Sequence, residues 1–342
     1  LINLNNKRKK ISSLIIDHHE INKPYPKANI IINPKKDNGY LEYDYLCAAS
    51  LTYFFIEMLS KKVECKINLK KYLIYVLLAT VCDVMPLRKL NRLISIIALK
   101  EFKIIDNQVF SKLYELTNKK NKININDLGY FIGPILNSGG RLGKSNLASE
   151  LLSTNRENVI NKNSLELINL NNKRKKIETL ILDDIDFNKL NKNHNQIMIY
   201  YNPNINEGLI GIIASRLKDY FNKPSIVITN SNKILKASAR SIYKYNLGRA
   251  IKTALDKNLI LNGGGHSMAA GFSLKKENLT KFEKFINKDF LKKKIFVDDS
   301  FKYDAEVSST VFNKNFYKDI EKIGPFGNGN PLPIFLFKNL KV

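Results

Sequence analysis

The chain has 342 residues, 44% of them hydrophobic, and carries 56 Lys+Arg against 31 Asp+Glu for a formal net charge of +25. That length predicts two or three domains, and the short, charge-interrupted apolar runs, the ordinary start LINLNNKRKK and three cysteines without CxxC spacing (Cys47, Cys65, Cys82) exclude a membrane helix, an export signal, a disulfide framework and a zinc ribbon, leaving a reducing cytoplasm as the expected setting. The excess of cations favours a polyanionic partner, nucleic acid first, although AT-rich coding yields the same wealth of Lys, Asn and Ile whatever the function, so charge alone decides little.

In chain order, LIIDH at 14–18 reads as a buried strand with its functional group at the carboxyl end, where ligand sites of open α/β sheets lie. A Pro/Gly/Asn-punctuated loop at 31–40 precedes a helix around 46–60. KYLIYVLLATVC at 71–82 is an apolar, strand-like run that ends on Asp83 and is stopped by Pro86. From Ser145 to about Phe187 the apolar spacing is helical and predicts a long connecting helix or a pair. A second α/β unit follows, with QIMIYYN as strand, GLIGIIASRLKDYF as helix and PSIVIT as strand, closing near residue 290 after LNGGGHSMAAGFSL. From about Ile295, KIFVDDSFKYDAEV alternates as a strand does. Residues 1–11, LINLNNKRKKI, recur letter for letter at 167–177. One distant copy is no solenoid repeat; the second copy fits its helical surroundings, whereas the first runs into a strand without a helix stop and reads as foreign to its position.

Asp17, His18 and His19 concentrate hard and borderline ligands suited to Mn, Mg or Zn. Neighbouring side chains on a strand point to opposite faces, so strand geometry lets only some of the three share a site. Asp83 reads equally as a functional carboxylate or as a helix cap. In Asn137-Ser138-Gly139-Gly140-Arg141, a glycine pair and an arginine precede a helix, an arrangement that brings N–H groups and a guanidinium to a phosphate; a plain loop looks similar. The same holds for Ser238-Ala239-Arg240-Ser241 after a strand. Gly263, Gly264 and Gly265 let backbone approach a ligand, His266 can donate to a phosphate, and the small residues at 267–271 permit tight helix packing. Residues 324–331, GPFGNGNP, are turn chemistry and show only a loop.

Taken in order, IIDHHE, INPKK, ATVCDVMPL with Asn91 and Arg92 after it, GPILNSGGRLG, NEGLIGIIASRLKDYFNKPSIVI, SARSI, GGGHSMAAGFSL and IGPFGNGNPLPIF resemble the RecJ exonucleases of the DHH phosphoesterase superfamily, over nearly the whole chain from Leu14. The resemblance implies an α/β fold: a truncated DHH phosphoesterase domain with a parallel sheet at 1–144, lacking its N-terminal part; a long connecting helical segment at 145–187; a second α/β, DHH-associated substrate domain at 188–292; and the start of an OB-type β barrel at 293–342. It implies metal-dependent hydrolysis of single-stranded DNA from the five-prime end, in repair and recombination, at a two-metal site for Mn2+ or Mg2+. By matching positions, Asp17, His18, His19 and Asp83 are catalytic: His18 and Asp83 as metal ligands, Asp17 as orienting group, His19 facing the substrate phosphate. Asn137, Arg141, Ser238, Arg240 and the Gly264-Gly265-His266 loop hold the DNA backbone. The implied partners are single-stranded DNA and a helicase or single-strand-binding protein, with no membrane and a monomeric cytoplasmic state. Two Asp-rich motifs that the family places before DHH are missing, which predicts an incomplete metal site and no activity for this stretch alone. The rival enzyme reading is a DHH phosphodiesterase of short oligonucleotides or cyclic dinucleotides; the rival non-enzyme reading is a nucleic-acid-binding remnant.

Overall fold

The computed structural model describes residues 13–21, 23–192, 196–293 and 302–338, which fall into two compact units: residues 1–134 with 301–342, and residues 135–300. The first copy of the 11-residue repeat and the expected strand start at Ile295 lie outside the described residues.

In the first unit the β-branched runs form β1 (Leu14–Ile16) and β2 (Ile30–Ile32), paired in parallel with Ile15 opposite Ile31. Helix α1 (Ala48–Lys62) follows as expected. The apolar run before Asp83 is a helix, α2 (Leu73–Cys82), and not a strand. Short apolar runs carry no period that separates the two states, and here six of its ten residues are buried, so a helix enclosed on nearly every side shows no polar stripe. Helix α3 (Lys89–Glu101) packs on α2. Asn107 caps α4 (Gln108–Leu116) by accepting from the N–H groups of Val109 and Phe110, each at 3.1 Å. Phe110 and Leu113 anchor this core at 0% exposure, each contributing roughly 1.5–3 kcal/mol by burial.

Helix α5 (Gly133–Arg141) leads into the second unit. The NSGGR segment is therefore helical rather than a loop ahead of a helix. Its glycine serves packing: a Cβ on Gly139 would stand 2.6 Å from the Lys144 carbonyl oxygen and 3.2 Å from Leu167 Cδ2. Ser138, fully buried, donates to the Leu167 carbonyl at 2.9 Å. Helix α6 (Asn146–Ser153), the 27-residue α7 (Glu157–Asp183) and α8 (Phe187–Lys192) make up the helical segment. The second copy of the repeat lies within α7.

A five-stranded sheet follows in the order β3-β4-β5-β7-β6, built from β3 (Met198–Tyr201), β4 (Ser225–Ser231), β5 (Ile234–Arg240), β6 (Asn262–Gly265) and β7 (Ala269–Leu274). Only the β3–β4 pair is parallel, joined through α9 (Ile210–Phe221). Alternation sorts the strands' side chains. Ile226, Ile228, Leu235, Ala237 and Ala239 face α10 (Leu247–Asp256) and α11 (Leu279–Lys292), whereas Val227 packs with Ile210, Ile213 and Leu217 of α9. Residues Lys236, Ser238 and Arg240 thereby fall on the α9 face.

Residues 302–338 return to the first unit and hold β8 (Ala305–Glu306), α12 (Lys314–Lys322) and β9 (Phe335–Leu336), with β8 and β9 parallel. None of these described residues is fully buried. Among the described residues no helix is long and apolar enough to cross a membrane.

Candidate active site

The DHH residues sit just past the end of β1. Asp17 N–H still donates to the Ile32 carbonyl at 3.0 Å, and the chain then leaves the strand. Strand alternation no longer applies, and Asp17, His18 and His19 each offer a ligand atom within 4.8 Å of the others. His19 Nδ1 lies 2.8 Å from Asp17 Oδ1, and Asn33, buried below, donates to the His19 carbonyl at 2.9 Å. Burial raises the Asp17 carboxyl, but the hydrogen bond and charge of His19 and the N–H groups of His18 and His19 outweigh it, so the group sits below its ordinary range.

His18 is buried and takes two contacts. Its Nδ1 accepts from the Ala48 N–H at 3.2 Å, at the start of α1, where no other side chain caps the helix. Its Nε2 faces Asp83 Oδ2 at 3.7 Å. Burial lowers its pKa, and His19 adds to this, against the raising influence of Asp83. In the neutral ring, accepting at Nδ1 puts the proton on Nε2, so holding a cation through Nε2 would require the other tautomer, with the proton on Nδ1 and the Ala48 contact given up. Asp83 itself is the C-terminal cap residue of α2, at the opposite helix end from the N-cap reading. The His18 Nε2 and Asp83 Oδ2 atoms, 3.7 Å apart, can both reach one cation at metal–ligand distances of about 2.0–2.1 Å. With the carboxylate and imidazole chemistry of the set, these residues fit part of a shell for Mn2+ or Mg2+.

The second unit holds a separate pocket of about 390 Å³ lined by Asn137, Arg141, Gly208, Gly211, Ser238 and Arg240, among others. Arg141 donates to the Gly208 carbonyl at 2.9 Å; Arg240 donates to Ser238 Oγ at 3.1 Å and to the Ala239 carbonyl at 2.9 Å. Burial lowers both guanidinium pKa values, that of Arg141 further through Arg174 and that of Arg240 further through Arg141, yet arginine stays charged. Ser238 and Arg240 lie on β5 itself, not after it. A Cβ on Gly208 would lie 2.2 Å from the Arg141 carbonyl oxygen, and one on Gly211 would lie 3.0 Å from Arg240 Nη2 and 3.1 Å from Ser238 Oγ. The backbone of Arg141 therefore requires glycine at 208, whereas a Cβ at 211 would press on the Arg240 and Ser238 side chains.

Beneath the pocket runs a network that sequence reasoning missed. Glu178, 6% exposed, accepts from Arg174 at 2.7 Å and Arg216 at 2.8 Å, while Asn171 accepts from Arg174 at 3.1 and 3.2 Å. The signal was available in the four-residue spacing of Arg174 and Glu178 on a helix. Glu207 also lines the pocket, with its carboxylate bound to Lys236 at 2.6 Å and lowered by that bond first and by Ser231 second.

Gly263, Gly264 and Gly265 form edge strand β6 rather than a loop, and the helix they admit is α10: Leu247 and Gly248 donate to the carbonyls of Ser267 and His266, both at 3.0 Å. Gly264 has open space where a Cβ would stand. His266 Nδ1 accepts from Met268 N–H at 3.3 Å. Gly264, Gly265 and His266 are not among the residues lining the arginine pocket.

Residues 194–292 match the DHHA1 domain family, and residues 303–342 match the RecJ OB domain. The protein named single-stranded-DNA-specific exonuclease RecJ from Haemophilus influenzae is 30% identical over 350 residues, covering 96% of this chain and 61% of the relative. This chain is RecJ-like. Its Bacillus subtilis relative of the same name is 25% identical, with 95% of this chain and 41% of the relative covered. The fold agrees with the crystal structure of RecJ in complex with Mn2+ from Thermus thermophilus at a TM-score of 0.82 and 22% identity, over 96% of this chain and 49% of that one. The RecJ-like chain thus spans about three-fifths or less of these relatives' lengths.

Proposed function

We propose that this chain belongs to a metal-dependent exonuclease that hydrolyses single-stranded DNA from the five-prime end, in repair and recombination. The observation that carries the reading is the alignment of single-stranded-DNA-specific exonucleases over 96% of the chain, on a fold that presents both a carboxylate–imidazole cluster and a paired-arginine pocket. In this reading residues 1–144 contribute the catalytic domain, 145–187 the connecting segment, 188–292 the substrate domain and 293–342 the beginning of the OB-type barrel.

His18 and Asp83 would hold part of the shell of Mn2+ or Mg2+, with further donors from water, substrate oxygens or protein outside these 342 residues. When bound, such ions supply Lewis-acid polarisation of the phosphodiester and a more acidic water. Asp17 accepts from Nδ1 of His19 and orients the exposed ring, whose other nitrogen donates to a phosphate oxygen when the ring carries both protons. Arg141 and Arg240 neutralise backbone phosphate, Ser238 and Asn137 add hydrogen bonds, and the uncapped first turn of α9 adds N–H groups of favourable polarity. Gly264, Gly265 and His266 offer a further stretch of backbone and an imidazole along the strand. Single-stranded DNA is the partner, in the cytoplasm, with a helicase or single-strand-binding protein as the expected companion and a monomer as the working state.

Hydrolysis of a long single strand is to be compared with that of a dinucleotide, using the full-length protein and Mn2+. Mononucleotide release from the long strand supports the proposal; cleavage of the dinucleotide alone replaces it with the short-substrate phosphodiesterase, and binding without cleavage of either replaces it with a binding protein.

A further inference from the structure

Asp83 ends α2 in an unusual way. Val84 N–H bonds to the Val81 carbonyl at 3.1 Å and Met85 N–H to the Thr80 carbonyl at 2.9 Å, the paired bonds of a Schellman turn. The residue that must be left-handed in such a turn is normally glycine, and here it is β-branched Val84 at φ +54°. Among the described residues no hydrogen bond holds the Asp83 carboxylate, which is half exposed. Its position therefore depends on the backbone of this strained turn.

The loop that sequence reading left as plain turn chemistry grips that turn. Asn328 donates from Nδ2 to the Val84 carbonyl, and its own carbonyl accepts from Leu87 N–H at 2.6 Å. One residue thus brackets the four residues after Asp83. Glycines on either side make the approach possible: a Cβ on Gly327 would lie 2.7 Å from Leu87 Cδ1, and one on Gly329 would lie 2.8 Å from Pro86 Cβ. Arg92 ties the far end by donating to the carbonyls of Ile323 and Gly324 at 2.7 and 3.0 Å.

We propose that Asn328 is a positioning residue for the metal site, fixing the turn that carries Asp83, so that the C-terminal segment is a working part of the catalytic centre. This rests on the reading of Asp83 as a metal ligand. A ligand must be held to within about 0.5 Å, and Asn328 restrains a left-handed valine that the chain alone disfavours.

The test uses hydrogen–deuterium exchange across residues 83–92 of the full-length protein together with Mn2+ binding followed by electron paramagnetic resonance, in wild type, Asn328→Ala and Arg92→Ala. Asn328→Ala should speed exchange at 84–88 about fivefold, as expected for one lost hydrogen bond, and weaken Mn2+ binding by a similar factor. Arg92→Ala loosens the same segment without touching the Val84 bond and should leave Mn2+ affinity within about twofold of wild type. Unchanged exchange at 84–88 in Asn328→Ala, or equal losses of Mn2+ affinity in both variants, overturns the proposal by reducing the loop to a docking contact. Wild-type protein that holds no Mn2+ overturns the ligand reading of His18 and Asp83, separately from the exchange data, which decide whether Asn328 holds the turn.

Discussion

Arg141 and Arg240 are like charges held in one partly buried pocket, and an anion relieves their repulsion better than water can. Gly211 controls the space beside Arg240. Gly211→Ala should leave the fold intact, or stabilise it by roughly 0.5–1 kcal/mol through helix propensity, while pushing Arg240 and weakening single-stranded DNA binding. Fluorescence anisotropy and thermal melting together check this; binding unchanged from wild type contradicts the pocket's role. His18 makes a pH-dependent contribution. Burial, against the pull of Asp83, holds its imidazole below the ordinary 6.5, so the unfolded ring takes up its proton at higher pH than the folded one. The stability due to the neutral ring is complete above 6.5 and is lost as pH falls through the lower folded value. Wild-type Tm should therefore drop more steeply than that of His18→Gln between about pH 7.5 and about pH 5; parallel slopes contradict it.

At the level of elements, strict alternation along β5 places Ser238 and Arg240 opposite the apolar face of Leu235, Ala237 and Ala239. Sequence reading sets those two residues after a strand and so misses the placement, whereas α1, α9 and the β-branched strands β1 and β4 are legible in the sequence. The α2 run was not, because a short segment buried nearly all round has no readable period. The glycines of α5 and β6 misled for another reason: Gly139, Gly263 and Gly265 stand where a neighbour comes too close for a Cβ, and a contact distance leaves no mark in a single sequence. The grip of Asn328 on Val84 joins residues 244 apart in the chain, beyond any local pattern. Helix α7 carries the buried Arg174–Glu178 pair, with side chains 10% and 8% exposed, which the largely exposed Arg216 of α9 joins. Glu178→Gln leaves two guanidinium groups without their carboxylate and should cost about 3 kcal/mol of unfolding free energy, read by urea titration. A loss below about 0.5 kcal/mol shows the network to be dispensable.

For the whole molecule, a net charge of +25 and two compact units suit a protein that tracks a polyanion, but charge alone does not identify the strand or the end attacked. The ordered set of segments did what no single motif could, because DHH gains its meaning from Asp83, the arginine pocket and the C-terminal loop that accompany it. The central claim is directional hydrolysis of single-stranded DNA, and the direct measurement is the first product released from a long single strand labelled at its five-prime end, using full-length protein with Mn2+. The account predicts that label appears first as a mononucleotide and that Arg240→Ala slows its release. Label retained on intact or progressively shortened strands contradicts it.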